Sequence, residues 1–226
     1  MRRAIFAGIA ILLATGLGAA LYLTGAGRER KHPSVQTPRV RPAAEPADAP
    51  QAPEPPMSGR VAIDQKQFHE ALAAGLVDRP VKSLLKVSSR MTYGDFVWND
   101  TGVAPGPTWV RVDLNSQIIS VFRSGHEIGT AVVLYGTDGL PTPTGKFPIL
   151  AKWKDHRSMT YGNAPMPYTL RLTEDGVSIH GSNVRWGFAT HGCVGVPKAF
   201  AAKMFDAVST GDEVLIVGDK REAPKT

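Results

Sequence analysis

The chain has 226 residues and a formal net charge of +6 at pH 7, a length that accommodates one domain with additional segments. Its lysines and arginines are spread along the sequence rather than gathered into one run with interleaved aromatic residues, which argues against nucleic-acid binding. A basic surface instead suits an anionic surface or polymer as partner. The single cysteine, Cys193, excludes an intramolecular disulfide.

Residues 4–27 contain no charged residue and directly follow Arg2 and Arg3. About 20 apolar residues cross the hydrocarbon core of a bilayer, and basic residues before such a stretch keep the N-terminus inside. The sequence therefore predicts a transmembrane helix within residues 1–27 that anchors the chain in a membrane, with its N-terminus inside and the rest of the chain on the outer side. A cleaved signal sequence, which would release a secreted domain, is the alternative, although no clear Ala-x-Ala site follows.

Residues 28–58 are rich in proline and alanine, with eight prolines between positions 33 and 56. Such a composition buries little apolar surface and favours extended, solvated backbone. We interpret this segment as a disordered linker between the anchor and the rest of the chain. Residues 219–226 are interpreted as a C-terminal tail.

Residues 59–107 are predicted to form an accessory helix with short strands. In residues 64–77 apolar side chains recur at every fourth position on one face of a helix, and Asp64 can cap its first turn. Short strands are predicted at residues 83–87 and 95–98. This segment either packs on the following domain or forms a membrane-proximal stalk.

Residues 108–218 carry the densest pattern of strands. Alternating apolar and polar residues predict a hairpin of residues 109–114 and 117–123 around the turn Asn115-Ser116. Further strands are predicted at residues 127–135, 147–151, 168–172, 176–180 and 213–217, with a loop at residues 136–146.

One helix is predicted after Pro197, which suits a first helical turn, and it is expected to end at Gly211. Its apolar face would consist of Phe200, Met204, Phe205 and Val208. Many short strands with one helix indicate a mostly-β domain, either a β-sandwich or a partial barrel.

The stretch 178–197, SIHGSNVRWGFATHGCVGVP, contains Cys193 and two of the six histidines, His180 and His191. A free thiol titrates at about pH 8.5, and an adjacent imidazole that takes its proton makes it a nucleophile. The neighbouring glycines let backbone N–H groups turn toward an oxyanion. Residue types alone leave two alternatives, a buried structural cysteine and a zinc site of three ligands, for which the His-Gly-Cys spacing is unusual.

The same stretch resembles the active-site signature of the YkuD-type L,D-transpeptidases, which is Ile-His-Gly followed after a loop by Ser/Thr-His-Gly-Cys-Val/Ile. The matching segments here are residues 179–181 and 190–194. Two further blocks resemble the family in the same order, residues 109–122 (WVRVDLNSQIISVF) and 141–149 (PTPTGKFPI). The resemblance spans residues 108–218 and implies a β-rich fold with a helix behind the catalytic loop.

The resemblance implies an enzyme of cell-wall biogenesis that acts on peptidoglycan stem peptides and requires no metal or cofactor. Cys193 would attack the carbonyl of the third residue of a stem tetrapeptide, release D-alanine, and form a thioester that an amine resolves into a cross-link. His180 matches the general base, oriented by the carbonyl of Gly181, and His191 matches a supporting or proton-donating histidine. The N–H groups of Gly192 and Cys193 are the expected oxyanion donors.

The sequence departs from the family pattern at two places. The position two after the cysteine, usually Arg or Asn in the family, is Gly195, and His180 and Cys193 are 13 positions apart, which is a shorter loop than usual. Arg185, in the same loop, is a candidate to replace the missing side chain. The other candidate substrate-binding residues are Thr190, Trp186, Tyr168 and Tyr161.

Two other functions stay open beside the L,D-transpeptidase. With water as the acceptor, the same site would make an L,D-carboxypeptidase. A non-catalytic cell-wall-binding module is the alternative from another class, and the intact set of His180, His191 and Cys193 argues against it. A catalytic Cys193 is expected to alkylate rapidly near neutral pH.

Overall fold

A computed structural model describes residues 58–218 of the chain. The predicted transmembrane anchor, the linker up to residue 57 and the tail at residues 219–226 lie outside the described residues. Within residues 58–218, no helix is long and apolar enough to cross a membrane.

Two β-sheets and two helices build the described part of the chain. The strands of the larger sheet are β1 Arg60–Ala62, β2 Ser83–Leu85, β3 Phe96–Trp98, β4 Thr108–Asp113, β5 Ile118–Arg123, β6 His126–Val132, β7 Gly145–Pro148 and β12 Glu213–Val217. They run in the order β1-β2-β6-β5-β4-β12-β7, and β3 also pairs with β6. The hairpin of β4 and β5 confirms the strands predicted on either side of Asn115-Ser116.

The smaller sheet has the strand order β11-β10-β9-β8. Its strands are β8 Ala151–Trp153, β9 Thr169–Arg171, β10 Ser178–Ser182 and β11 Val194–Pro197. The pair β10 and β11 is parallel, whereas β9 pairs antiparallel with both β8 and β10. The two helices are α1 Gln65–Ala73 and α2 Lys198–Ala207.

The hydrophobic core contains residues from both sheets and from α2. Phe200 of α2 is fully buried and receives the ring edges of Trp98 and Phe96, with ring centroids 5.6 and 5.9 Å away. A Cβ atom at Gly129 would lie 2.3 Å from the ring of Trp98, so only glycine lets this aromatic side chain lie across β6. Burying one such side chain stabilises the fold by roughly 1.5–3 kcal/mol.

Helix α2 begins after Pro197, as predicted, and ends earlier than predicted. Val208 adopts extended backbone, with φ −105° and ψ 159°, so the helix does not continue to Gly211. The ammonium of Lys152 donates to the carbonyl oxygens of Phe205, at 2.6 Å, and Val208. A cation bound to carbonyls at the end of a helix is also favourably placed in the helix dipole.

Helix α1 confirms the predicted cap and is shorter than the predicted helix. Asp64 accepts a hydrogen bond from the N–H of Gln67 at 2.8 Å, and the Gln67 side chain accepts one from the N–H of Asp64 at 3.0 Å. The helix ends two residues before Gly75, which has a φ of +68°. No residue of α1 is buried, and Leu72 and Leu76 are 43% and 59% exposed, so the predicted apolar face does not join the core.

The prediction of a mostly-β domain is confirmed. The sheets share one core, and the described strands do not close into a barrel. Strands β1, β8 and β11 were not predicted, and β8 shares only Ala151 with the strand predicted at residues 147–151. The segment 59–107 contributes β1, β2 and β3 to the larger sheet.

A buried polar cluster links β1 to β6. The guanidinium of Arg60 donates to the carbonyl oxygens of Glu127, at 2.6 Å, and Asn99. The carboxylate of Glu127 accepts from the hydroxyl of Ser120 at 2.6 Å and the N–H of Leu85 at 2.8 Å. Arg60 and Glu127 are only 6% and 5% exposed, and these bonds offset part of the cost of removing both groups from water, while Nε of Arg60 is buried without a hydrogen-bond partner.

Candidate active site

Two parallel strands bring the predicted nucleophile and base together. β10 carries His180, β11 starts directly after Cys193, and the register pairs Ile179 with Val194 and His180 with Gly195. Side chains alternate between the faces of a strand, so Cys193, which lies two positions before Gly195 and just outside β11, is expected on the same face as His180. Diagonal neighbours of this kind lie ~7–8 Å apart, within reach of a histidine side chain.

The backbone around Cys193 is held by hydroxyl groups. Gly192, directly before it, has a φ of +101°, in the left-handed region that glycine tolerates. The carbonyl oxygen of Cys193 accepts hydrogen bonds from the hydroxyls of Thr190 and Thr142, the latter at 3.3 Å. Thr142 in turn accepts from the N–H of Gly136 at 2.9 Å. These bonds fix the peptide unit that determines where the thiol points.

The segment after β6 also packs against the turn that carries Cys193. The N–H and C=O of Gly195 each make a 2.8 Å hydrogen bond with the backbone of Leu134. A Cβ atom at Gly136 would lie 3.0 Å from Cα of Gly192 and 2.0 Å from the carbonyl oxygen of Leu140. Glycine at position 136 is therefore required for the close packing of this segment against the nucleophile turn.

The thiol of Cys193 is half-buried beside the turn between β9 and β10. Its Sγ atom lies 3.9 Å from the carbonyl oxygen of Gly176, close enough for the S–H to donate a weak hydrogen bond. Burial raises the pKa of the Cys193 thiol, the N–H of Ser178 opposes this rise, and the charge of Asp175 adds to it. These surroundings favour the protonated thiol, and rapid alkylation of Cys193 near neutral pH stays a prediction.

The imidazole of His180 has the orientation that the family resemblance implies. Its Nδ1 atom lies 3.1 Å from the carbonyl oxygen of Gly181, and because a carbonyl only accepts, this bond assigns the proton to Nδ1 and leaves Nε2 basic. Burial lowers the pKa of His180, the bond to Gly181 opposes the lowering, and the nearby His156 adds to it. A lowered histidine pKa beside a raised thiol pKa favours a neutral pair, from which the proton moves as the sulfur attacks.

The remaining histidine and threonine of the motif have other contacts. His191 is exposed, and its ring stacks on Tyr161 with centroids 4.3 Å apart and planes 19° apart. The hydroxyl of Thr190 bonds to the carbonyl of Cys193. The supporting role of His191 and the substrate contacts of Tyr161 and Thr190 stay predictions.

The other predicted substrate-binding residues lie farther out or in the core. Arg185 and Trp186 are exposed on the loop between β10 and β11, Trp186 at 82%, and the guanidinium carbon of Arg185 lies 5.7 Å from the ring centroid of Phe188. Tyr168 packs against the core, with its ring centroid 5.8 Å from that of Phe205 and the ring planes 63° apart. Their predicted roles are therefore the least supported of the set.

Several residues of the site were not identified from the sequence. Ser182 lies 3.3 Å from Nδ1 of His180, and Thr142 and Gly176 contact the backbone and the thiol of Cys193. Ser182 could have been found, because it lies two positions after His180 on the same strand face. Thr142 is part of a block that resembles the family, whereas no local pattern points to Gly176.

The zinc alternative has no support in the described residues. Across residues 58–218, no group of three or more His, Cys, Asp and Glu side chains is arranged to hold a metal ion. His180, His191 and Cys193 therefore do not constitute such a group.

Comparison with known proteins adds a family match. Residues 107–216 match the model of the family described as YkuD, L,D-transpeptidase catalytic domain. The curated relatives include L,D-transpeptidase 1 from Mycobacterium tuberculosis, in strains H37Rv and CDC 1551, each 30% identical over 124 residues that cover 46% of this chain and 48% of the relative. The chain thus matches about half the length of these relatives.

Among solved structures, similar chains include an L,D-transpeptidase (Yku) from Stackebrandtia nassauensis and L,D-transpeptidase 1 from Mycobacterium tuberculosis. The first is 27% identical, covers 54% of this chain and 60% of that chain, and has a TM-score of 0.47. The second is also 27% identical, covers 49% of this chain and 61% of that chain, and has a TM-score of 0.43.

Proposed function

We propose that the chain is a peptidoglycan L,D-transpeptidase, because residues 107–216 match the model of the YkuD family of L,D-transpeptidase catalytic domains. In this proposal Cys193 forms a thioester with stem tetrapeptides, releases D-alanine and transfers the acyl group to an amine to form cross-links. The observation that carries the proposal is the β10–β11 register, which sets Cys193 and His180 on one face.

The acylation step follows from the protonation states of the pair. Neutral His180 takes the proton from Sγ of Cys193 through Nε2 while the sulfur attacks the carbonyl carbon of the third stem residue. The developing oxyanion accepts hydrogen bonds from the N–H groups of Gly192 and Cys193. The C–N bond then breaks, the imidazolium returns the proton to the leaving amine, and D-alanine departs.

The second step regenerates the thiol. The amine of an acceptor stem attacks the thioester carbon and gives up a proton to His180, and the C–S bond breaks as the new amide forms. The imidazolium then returns its proton to the sulfur, so no net charge or cofactor is consumed. The hydroxyls of Thr142 and Thr190 support both steps because they fix the orientation of the Cys193 carbonyl.

We also propose that the chain acts in the periplasm, anchored to the inner membrane. This rests on the uncharged stretch of residues 4–27 after Arg2 and Arg3 and on the proline-rich residues 28–58.

The full chain in detergent, incubated with a purified stem tetrapeptide, tests the reaction. Release of D-alanine together with a cross-linked dimer, detected by mass spectrometry, is the expected result. Tripeptide without dimer would assign the carboxypeptidase reaction instead. Absence of both products, with binding to peptidoglycan retained, would assign the binding module and overturn the proposal.

A further inference from the structure

We infer that Ser182 is a positioning residue for His180 and that the glycine at position 195 provides the space it needs. The inference rests on the proposed function, because it concerns the base of that reaction. Ser182 ends β10 two positions after His180, so both side chains lie on the face that Cys193 also shares. The hydroxyl oxygen of Ser182 lies 3.3 Å from Nδ1 of His180.

Two oxygen atoms therefore converge on one nitrogen. The carbonyl oxygen of Gly181 lies 3.1 Å from the same Nδ1 and can only accept, so Nδ1 carries the proton and Ser182 is a second acceptor for it. Two acceptors stabilise the imidazolium more than the neutral ring. Ser182 thus opposes the effect of burial on His180 and keeps Nε2 as the basic nitrogen toward Cys193.

The glycine at position 195 is directly opposite His180 in the register. A Cβ atom there would lie 2.9 Å from Oγ and 3.0 Å from Cβ of Ser182, distances that real Cβ atoms avoid. Strand β11 cannot shift to relieve the contact, because the N–H and C=O of Gly195 are both bonded to Leu134 at 2.8 Å. The Ser182 hydroxyl can therefore occupy its position only because residue 195 has no side chain.

This pairing gives a physical reason for the departure from the family pattern at position 195. An Arg or Asn at that position would occupy the volume in which the Ser182 hydroxyl reaches the imidazole. The chain has instead a small residue at position 195 and a hydroxyl on the opposing strand.

The test is the rate constant for acylation of the full chain by a carbapenem, measured against pH for the wild type, Ser182→Ala and Ser182→Thr. Because neutral His180 is the active base, the acidic limb of the profile reports its protonation. Ser182→Ala is expected to acylate about tenfold more slowly at the plateau and to move the acidic limb to lower pH. Ser182→Thr, which keeps the hydroxyl, is expected to have the plateau rate and the acidic limb of the wild type.

Gly195→Ala tests the second half of the inference. It is expected to shift the acidic limb in the same direction as Ser182→Ala, and the double variant is expected to lose less than the two single losses combined. Gly139→Ala is the matched control, since a Cβ there meets no atom within 4 Å, and its profile should equal that of the wild type. Fully additive losses would contradict the pairing of Ser182 with Gly195.

A proton-NMR titration of the His180 ring separates this inference from the proposed function, because it requires no acylation. A lower pKa of His180 in Ser182→Ala supports the inference even if the wild type forms no adduct with the carbapenem. An unchanged titration together with an unchanged acidic limb would overturn it, while leaving the role of Cys193 intact.

Discussion

The buried Arg60–Glu127 cluster and the candidate active site differ in how their ionisable groups are buried and hydrogen-bonded. In the cluster between β1 and β6, the Arg60 guanidinium and the Glu127 carboxylate lie almost fully buried, with three hydrogen-bond partners for Arg60 and two for Glu127. At the candidate active site, Cys193 and His180 are only half-buried, and the thiol has a 3.9 Å contact with Gly176. The Arg60–Glu127 cluster stabilises the fold, whereas the candidate active site leaves the thiol proton of Cys193 available for transfer to His180.

The difference shows that burial alone does not identify a functional site. Burial shifts the pKa of Glu127 upward, as it does for Cys193. The Glu127 carboxylate is bonded to Ser120 and Leu85 within the fold, while the strand next to Cys193 pairs with the strand that carries the imidazole of His180. A shifted pKa therefore indicates a functional residue when a proton acceptor is also available, as His180 is proposed to be for Cys193.

The largest expected effect comes from the base. His180→Ala should lower the rate of acylation of Cys193 by roughly 10²- to 10⁴-fold, the range typical of general base catalysis. The measurement is the rate of adduct formation with a carbapenem, followed by mass spectrometry. His69→Ala, on the exposed face of α1, is the control and should react like the wild type. A His180→Ala variant that acylates at the wild-type rate would move the base to another residue, with His191 the first candidate.

Disruption of the buried cluster should destabilise the fold without changing the chemistry. Arg60→Met leaves the carbonyl oxygens of Glu127 and Asn99 without a charged donor, at a cost of about 3 kcal/mol in the free energy of unfolding. Urea denaturation measures this loss, and the exposed Arg90→Met is the matched control, expected within about 0.5 kcal/mol of the wild type. If folded Arg60→Met acylated more slowly than the wild type, the two clusters would not be independent.

A smaller loss is expected at the end of α2. Lys152→Met removes the ammonium that bonds the carbonyls of Phe205 and Val208, and should lower the free energy of unfolding by about 1–2 kcal/mol. Lys203→Met, on the exposed side of the same helix, should change it little. Equal effects of the two substitutions would show that the capping bonds do not stabilise the helix end.

The smallest effect depends on pH. Ion pairs with Arg79 and Lys146 lower the pKa of Asp78 to about 2, below its unfolded value of about 4. A depressed pKa stabilises the fold above pH 4, and this stabilisation is lost as the pH falls through 4 toward 2. The difference in unfolding free energy between the wild type and Asp78→Asn should therefore shrink from pH 6 to pH 3. A difference that stays constant over this range would contradict the role of these ion pairs.

Local patterns in the sequence were sufficient for much of the fold. The alternation in residues 109–114 and 117–123 located the β4–β5 hairpin, and the spacing around Pro197 located α2. The parallel pairing of β10 with β11 could not be predicted, because it joins strands across an irregular loop and depends on contacts distant in the sequence. The predicted end of α2 at Gly211 was wrong for a related reason, since tertiary contacts at Val208 override the local pattern.

In the candidate site, too, the features that depend on neighbouring residues could be predicted from the sequence, and those that depend on residues far apart in the chain could not. Cys193, His180 and the Gly181 carbonyl came from one stretch of sequence; the structure shows the contact between His180 and the Gly181 carbonyl, and the pairing of His180 with Cys193 stays a prediction. The raised pKa of the thiol was not anticipated, because it arises from burial beside the β9–β10 turn, in another part of the sequence. Thr142 was missed for a similar reason, as its bond to Cys193 spans 51 positions.

The central claim is that Cys193 is an acylatable nucleophile, and the most direct measurement is the intact mass of the full chain after incubation with a carbapenem. The expected result is one stable adduct per chain, absent from Cys193→Ala that is shown to be folded by circular dichroism. A folded wild-type chain without an adduct, or an adduct that persists in Cys193→Ala, would contradict the claim.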